Sequence, residues 1–448
     1  MSNAQTEPAV GSVEPRLERR LGPIAVSLSG IGIILGAGIY VLVGEAAGEA
    51  GNSVWLAFVV GALVAAPTGL AFAELAAMFP EAGAAAAYTR EAFGVRTAFL
   101  TGWFDIAVST VGAAAVALGF GGYLDDLISS GASPWASLGA TPMAIAALVA
   151  VGVIAYVGVR ETVAVAIVFT LIEAAGLLVV AAVGLPQFGD VDLLSAENGV
   201  VGVLGAASLV YFAYQGFEEI ATLSEETINP RRNIPLAIVV AVIVTTTLYV
   251  LVALAAVSSV AWEQLAESNA PLADVVAAVS SERLADVIST VALFATFNTV
   301  LLLVATGARI SYGMAQRRLL PALFGRVSRT RRTPWVATVV ITVMAIALAT
   351  TGDIGFVAQV TNFAVFGLFT IVNAAVIVLR RSRPDAERSF RLWGSVNGVP
   401  VIAVVGLLGN LGLAAYMERD AFVAGLVLLA IGLAASMYIV RYERGAVA

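Results

Sequence analysis

The chain has 448 residues, 60% of them hydrophobic and 12% charged, with a net charge of −7 and a mean hydropathy of +0.94. A soluble domain carries about 25% charged residues, so this composition excludes a soluble globular fold and describes a membrane protein. The absence of cysteine and histidine excludes disulfides, thiol nucleophiles, structural zinc, haem ligation and imidazole acid–base chemistry, and with them most enzymatic classes.

Met1 to Arg20 is polar, with Pro8 and Pro15. The apolar stretch behind it is too long and glycine-rich for a signal peptide and shows no small-residue cleavage site, so residues 1–21 are expected to form a cytoplasmic tail. Apolar runs interrupted by Pro, Gly and charge then predict spans near 23–43, 54–78, 97–121, 142–158, 162–184, 200–222, 234–257, 287–308, 334–350, 354–379, 397–416 and 421–440. These runs are continuous blocks, whereas outer-membrane barrel strands alternate, so the expected fold is an all-α membrane protein of twelve transmembrane helices over 22–442, with a second cytoplasmic tail at 443–448.

Arginine sets the orientation, because all 24 basic residues are arginine. With both termini cytoplasmic, every arginine except Arg283 and Arg419 falls on an inner loop or tail, while acidic residues predominate outside. That asymmetry supports an even number of spans in the cytoplasmic (cell) membrane.

Two spans carry a mid-helix weakness. The first reads Gly30-Ile31-Gly32-Ile33-Ile34-Leu35-Gly36-Ala37-Gly38-Ile39-Tyr40, and the sixth reads Tyr211-Phe212-Ala213-Tyr214-Gln215-Gly216-Phe217-Glu218-Glu219. Each opens a prospective five-helix unit. Glycine within a helix costs about 1 kcal/mol against alanine, and freed backbone groups in hydrocarbon cost several more. A break survives there only where something polar fills it; close packing through small residues is the plainer alternative for Gly36 and Gly38.

The Gly36-Ala37-Gly38-Ile39-Tyr40 stretch resembles the first-helix glycine signature of the amino acid–polyamine–organocation (APC) superfamily. Ala73-Glu74-Leu75-Ala76 followed by Phe79-Pro80-Glu81-Ala82-Gly83 and Tyr88 resembles its second-helix exit. The most specific block is Phe212-Ala213-Tyr214-Gln215-Gly216-Phe217-Glu218 with Glu225-Glu226-Thr227-Ile228-Asn229-Pro230-Arg231-Arg232-Asn233-Ile234-Pro235, similar to the sixth helix and following loop of its amino acid permeases. Arg309, Tyr312, Met314 and Pro321 fit the close of the eighth helix.

The resemblance implies the inverted five-plus-five repeat of the leucine-transporter-like fold, with repeat one at about 22–184, repeat two at about 200–379 and two extra C-terminal helices at about 397–440. It implies a mid-membrane amino acid site where the first and sixth helices unwind. The carboxylate would meet the backbone donors of Gly36, Ala37, Gly38 and Ile39, at the positive end of a half-helix. The ammonium would meet the carbonyls of Leu35 and of Ala213 to Gly216, and side-chain specificity would fall to Tyr214, Gln215, Phe217 and Phe297, for which ordinary packing is the alternative.

Five acids fall inside the predicted spans, where an unpaired charge costs at least about 2.5 kcal/mol. The resemblance implies a lysine in proton-coupled relatives at the position of Glu173; glutamate here departs from that pattern and removes the lysine mechanism, but leaves an ionisable group in the same place, expected to take and release the coupled proton. A structural hydrogen bond, or a cation site shared with Thr296 or Thr299, is the alternative. Glu74 and Glu218 match family positions that hold helix ends or gates; Glu219 has no special claim. Asp105 could meet a substrate ammonium or serve packing. The Asn229-Pro230-Arg231-Arg232 loop is a helix stop with inner-face charge, and its family likeness adds a gate at Arg231.

The expected function is secondary active transport of amino acids by alternating access, proton-coupled, with neutral substrates favoured and no cofactor or metal. Exchange, sodium-coupled symport, and transport of polyamines or cationic amino acids share the architecture, and a non-transporting amino acid sensor would present the same site. A channel would need a continuous polar pore, and a membrane enzyme a catalytic dyad or metal ligands; neither pattern is present.

Overall fold

The computed structural model describes residues 21–79, 84–129, 138–158, 163–189, 191–388 and 390–447. The tail over 1–20, the Pro80-Glu81-Ala82-Gly83 part of the second-helix exit and Arg160-Glu161-Thr162 lie outside the described residues.

The chain forms α1 (Pro23–Leu35), α2 (Gly38–Ala50), α3 (Val54–Met78), α4 (Ala84–Phe93), α5 (Val95–Ser129), α6 (Ala140–Val157), α7 (Val163–Gly184), α8 (Gly199–Val210) and α9 (Phe217–Thr222). There follow α10 (Pro230–Ser259), α11 (Trp262–Glu267), α12 (Pro271–Val279), α13 (Glu282–Gln316), α14 (Trp335–Ala349), α15 (Ile354–Ser382), α16 (Val401–Ala414) and α17 (Arg419–Val447). A small hairpin, β1 (Ser395–Val396) and β2 (Val399–Pro400), turns on Asn397 and Gly398, both at positive φ, the sequence pair suited to that turn.

Nine segments among the described residues are long and apolar enough to cross a bilayer, with α2 and α3 counted as one, and α1, α14 and α16 are shorter apolar helices. Helices are the outcome because a backbone in hydrocarbon has no water to bond and must satisfy itself. The outward side chains agree: Val149, Leu171, Val200, Ile243, Val343, Leu408 and Val427 are all exposed, an apolar belt that water would penalise and lipid accepts. Inside, α5 is the most enclosed long helix, packed by α13, α6, α15 and α14.

Several helices outrun the apolar windows. The span predicted at 287–308 is α13, whose 35 residues extend about 50 Å at 1.5 Å per residue and begin at the cap Ser281, whose hydroxyl accepts from Leu284 N. The span predicted at 97–121 is α5, which runs to Ser129. Hydropathy marks contact with lipid, and helices continue into polar sequence beyond it.

Polar clusters fix the bundle where apolar packing alone is unspecific. Tyr211 Oη donates to Asn410 Oδ1 (2.9 Å), while Asn410 and Asn373 each donate to the Thr68 hydroxyl (3.1 and 2.9 Å). This joins α3, α15 and α16 to the turn after α8. At the arginine-rich end, Glu74 is gripped by Arg380 through two 2.6 Å contacts, with Arg388 at 3.3 Å and Leu392 N at 2.8 Å. Glu74 and Arg380 are 1% and 2% exposed, so each charge depends on the other. Arg388 lies in the loop after α15; burial pulls its pKa down while Glu74 opposes that shift.

Candidate functional site

The first span is two helices. α1 ends at Leu35, Gly36 takes φ +27° and ψ −155°, and α2 starts at Gly38 with Ala37 as its N-cap. Gly36 is the residue type for this turn, since a side chain strains at such a φ. The predicted span 23–43 therefore continues to Ala50, with its interruption near the middle. The sixth span is interrupted as well: α8 passes into a 3-10 turn over Tyr211–Tyr214, Gln215 is extended, and Gly216 at φ +114° opens α9.

The two interruptions touch. A Cβ on Gly38 would stand 2.6 Å from both Cα and Cβ of Ala213, and one on Gly216 would stand 2.7 Å from Ile33 Cγ2. Close packing and helix interruption, alternatives in the sequence, are thus both present: Gly36 turns the chain and Gly38 lets the second broken helix approach it.

The two sides of the first break are treated differently. The C-terminal carbonyls of α1 are capped by Tyr249 of α10, whose hydroxyl lies 2.8 Å from Ile34 O, 2.9 Å from Leu35 O and 3.1 Å from Ala213 O. Among the described residues no side chain caps the N-terminus of α2, whose first-turn N–H groups have no intrahelical acceptor. The break therefore offers donors at Gly38 and Ile39; of the carbonyls expected to meet an ammonium, Leu35 and Ala213 to Gly216, those of Leu35 and Ala213 share the one Tyr249 hydroxyl proton with Ile34 O and so keep accepting capacity. Gly36 N reaches back to Gly32 O at 3.4 Å.

Around this centre the candidate residues divide. Tyr214 is buried, its ring against Tyr249 (centroids 5.5 Å apart) and its hydroxyl donating to Phe58 O (2.8 Å). Phe217 is buried between Phe72 and Phe369, with centroids 5.8 and 4.9 Å away. Both serve helix packing in this structure. Gln215 donates to Asn362 Oδ1 (3.2 Å), and Asn362 in turn caps the carbonyls of Ser208 and Leu209. Phe297 is half-buried against Phe120 (5.9 Å).

Glu173 is brought beside the break. It is 3% exposed on α7, and its carbonyl accepts from Tyr40 Oη (2.8 Å). The close fit of α7 on α1 is at Gly32, where a Cβ would lie 1.7 Å from Thr170 Oγ1. Thr299 Oγ1 stands 3.4 Å from where a Gly36 Cβ would be; Thr299 and Thr296 bond to Ala295 O and Ala292 O of their own helix (2.9 and 2.7 Å).

The remaining acids lie towards the arginine-rich end. Glu218 Oε2 accepts from Gly216 N (3.0 Å) and so caps the start of α9. Asp105 interacts electrostatically with Glu218 and Glu219, and Glu219 with Arg309. Arg231 is exposed and pairs with Glu387 at 2.5 Å, a contact of a kind that contributes little. One tie went unread in the sequence: Leu21 N donates to Glu226 O (3.0 Å) and Ile228 N to Leu21 O (2.9 Å), a backbone bridge from the start of α1 to the segment after α9.

Two apolar helices, each broken, in contact at their breaks and buried within a polytopic bundle, define a membrane transporter. The particular assignment comes from comparison with known proteins. The chain matches the Amino acid permease family over residues 21–429 and belongs to that family, within the APC superfamily. It is 30% identical to the branched-chain amino acid permease BcaP of Bacillus subtilis over 95% of this chain and 94% of that protein. It is 29% identical to the methylthioribose transporter of the same organism over 87% of this chain and 86% of that protein. It is also 30% identical to human cationic amino acid transporter 4, over 84% of this chain and 62% of that protein. These relatives are transporters, and the chain is one too rather than an enzyme.

Proposed function

We propose that this protein is a proton-coupled amino acid symporter of the cytoplasmic membrane, working by alternating access, with both termini cytoplasmic and neutral substrates favoured. The reading takes α1–α2 and α8–α9 as the first helices of two inverted five-helix repeats, about 22–184 and 200–379, with α16 and α17 as extra helices, twelve spans in all. Near-exclusive placement of arginine at one end of the bundle supports the orientation.

The observation that carries it is the contact of Gly38 with Ala213, which puts the uncapped first turn of α2 against the second interruption. Free N–H groups at a helix start favour a carboxylate. Gln215, Phe297 and Asp105 are the side chains assigned to the rest of the substrate, and Thr296 and Thr299 to a coupling sodium should one replace the proton. Glu173 is assigned the coupled proton because it is a buried carboxylate on α7 whose backbone carbonyl is held by Tyr40, at the start of α2 beside the break. Glu74, Glu218 and Arg231 are assigned to holding or gating the helix ends. The neutral preference rests on Asp105 being the one acidic side chain placed here that could meet a cationic substrate, and on the likeness to a branched-chain permease.

Proteoliposomes loaded with purified protein and given a panel of labelled amino acids, with an imposed proton gradient and with or without sodium, test the reading. Branched aliphatic substrates are expected to accumulate on acidifying the outside, without sodium, and Glu173→Gln is expected to abolish that accumulation. Full gradient-driven uptake by Glu173→Gln removes the proton role from Glu173. Uptake only against a loaded counter-substrate makes the protein an exchanger, and binding without any flux makes it a sensor.

A further inference from the structure

The arginine-rich end of the bundle carries a feature that substrate movement does not use. Between α13 and α14 the chain folds back on itself: Ser328 N donates to Thr333 O (2.9 Å) and Arg332 N to Ser328 O (2.9 Å). The Thr333 hydroxyl donates to Tyr156 O at the end of α6 (2.7 Å). Beside this fold lies an open surface cavity of about 540 Å³ lined by Tyr156, Arg326, Val327, Ser328, Arg329 and Trp335. Arg326 and Arg329 are exposed, as are the neighbouring Arg331 and Arg332. Among the described residues none of these four has a carboxylate within ion-pair distance. Guanidiniums without a carboxylate partner among the described residues, beside a hydroxyl and around a cavity of this size, suit a phosphate, which takes planar bidentate donors well.

The wall above the cavity distinguishes a lipid phosphate from a soluble one. α6 and α14 meet where a Cβ on Gly152 would stand 2.7 Å from Thr342 Cγ2. Beside that seam the exposed side chains are apolar, Val149 and Val153 on α6 with Val339 and Val343 on α14. Tyr156 and Trp335 stand part-exposed between this furrow and the arginines, as amphipathic rings do at headgroup level. Arginine on one side of a bilayer is general; a cavity that joins guanidiniums to two aromatic rings and an apolar furrow is specific. We propose that the cavity binds the phosphate of an anionic phospholipid, with the acyl chains lying along the α6–α14 seam.

The test uses the full chain in nanodiscs of phosphatidylcholine with a minor fraction of phosphatidylglycerol, followed by release into detergent and native mass spectrometry of retained lipid. Wild type is expected to keep phosphatidylglycerol, and R326Q/R329Q to bind it roughly thirty-fold more weakly. R381Q/R391Q, altered at exposed arginines of the same end outside the cavity, is expected to behave as wild type. V153W, which fills the furrow without touching charge, is expected to lose the lipid too, and it carries the test should the arginine variant not fold. Unchanged retention in V153W or R326Q/R329Q overturns the proposal. An equal loss in R381Q/R391Q overturns it as well, by reducing the effect to general surface charge. Displacement of the lipid by millimolar inorganic phosphate would make the cavity a soluble-anion site instead.

Discussion

The hydroxyl of Tyr249 lies 2.9 Å from the carbonyl oxygen of Leu35, so the end of α1 is capped by a side chain of α10. The Tyr249 hydroxyl oxygen is also 3.1 Å from Ala213 O in the other broken helix. Tyr249→Phe keeps the ring contacts with Phe58 and Tyr214 and removes only this cap. A hydrogen bond contributes about 1 kcal/mol net and a stranded buried partner costs somewhat more, so uptake efficiency is expected to fall about ten-fold with insertion unaffected. Initial-rate uptake by equal amounts of inserted protein measures it; a rate equal to wild type would dispose of the capping role.

Gly38→Ala places a methyl where Ala213 Cα and Cβ already stand 2.6 Å away. Backbone cannot step aside as a flexible side chain can, and overpacking of this kind costs roughly 1–3 kcal/mol. The variant is expected to melt lower in detergent and to transport poorly. Gly22→Ala, with nothing within 4 Å of the added carbon, is expected to match wild type in both assays. Similar behaviour of the two variants would show that the contact at Gly38 does not matter.

Removing one member of the buried Glu74–Arg380 pair strands the other, at a cost of about 3–5 kcal/mol. Glu74→Met is expected to be strongly destabilising alone, and Arg380→Met to cost less in that background than in the wild type. Thermal unfolding of the four proteins in the cycle gives the coupling, expected to be at least about 1 kcal/mol. Additive costs would mean that the two groups are independent despite their contact.

Glu418 lies in the loop before α17, and its pKa is raised, first by burial and then by Asp353 and Asp420. The folded protein therefore holds this proton more tightly than the unfolded chain. Its contribution is present below the unfolded carboxyl range and is lost as pH rises through the folded value. Glu418→Gln is expected to raise the melting temperature at about pH 7 and to leave it unchanged near about pH 3, where both states are protonated. A melting temperature lowered at neutral pH would reverse the sign of the argument.

The helical interruptions are legible in sequence because glycine and polar residues stand where an apolar helix tolerates neither, at Gly36 and again at Gln215 and Gly216. The apolar blocks likewise mark the long helices, though not their ends: α13 opens at Glu282, where hydropathy has already turned polar. The short α11 and α12 between α10 and α13, and the amphipathic α4, escape a search for apolar runs altogether. What the sequence hides is partnership across distance. Tyr249 meets a carbonyl 214 positions away, and Glu74 an arginine 306 positions away. A single tyrosine within an apolar span carries no local sign of being a helix cap. Phe217 reads as a pocket-lining ring from its neighbourhood in sequence, whereas Phe72 and Phe369 claim it as packing.

The backbone bridge between Leu21 and Thr227 has a mechanical consequence. It ties the N-terminal root of α1 to the segment leaving α9, and Ile220 and Ile33 clasp the same two helices nearer the break, at Gly30 and Gly216. The pair is thus held at two levels, so α1 and α9 are joined as one mechanical unit.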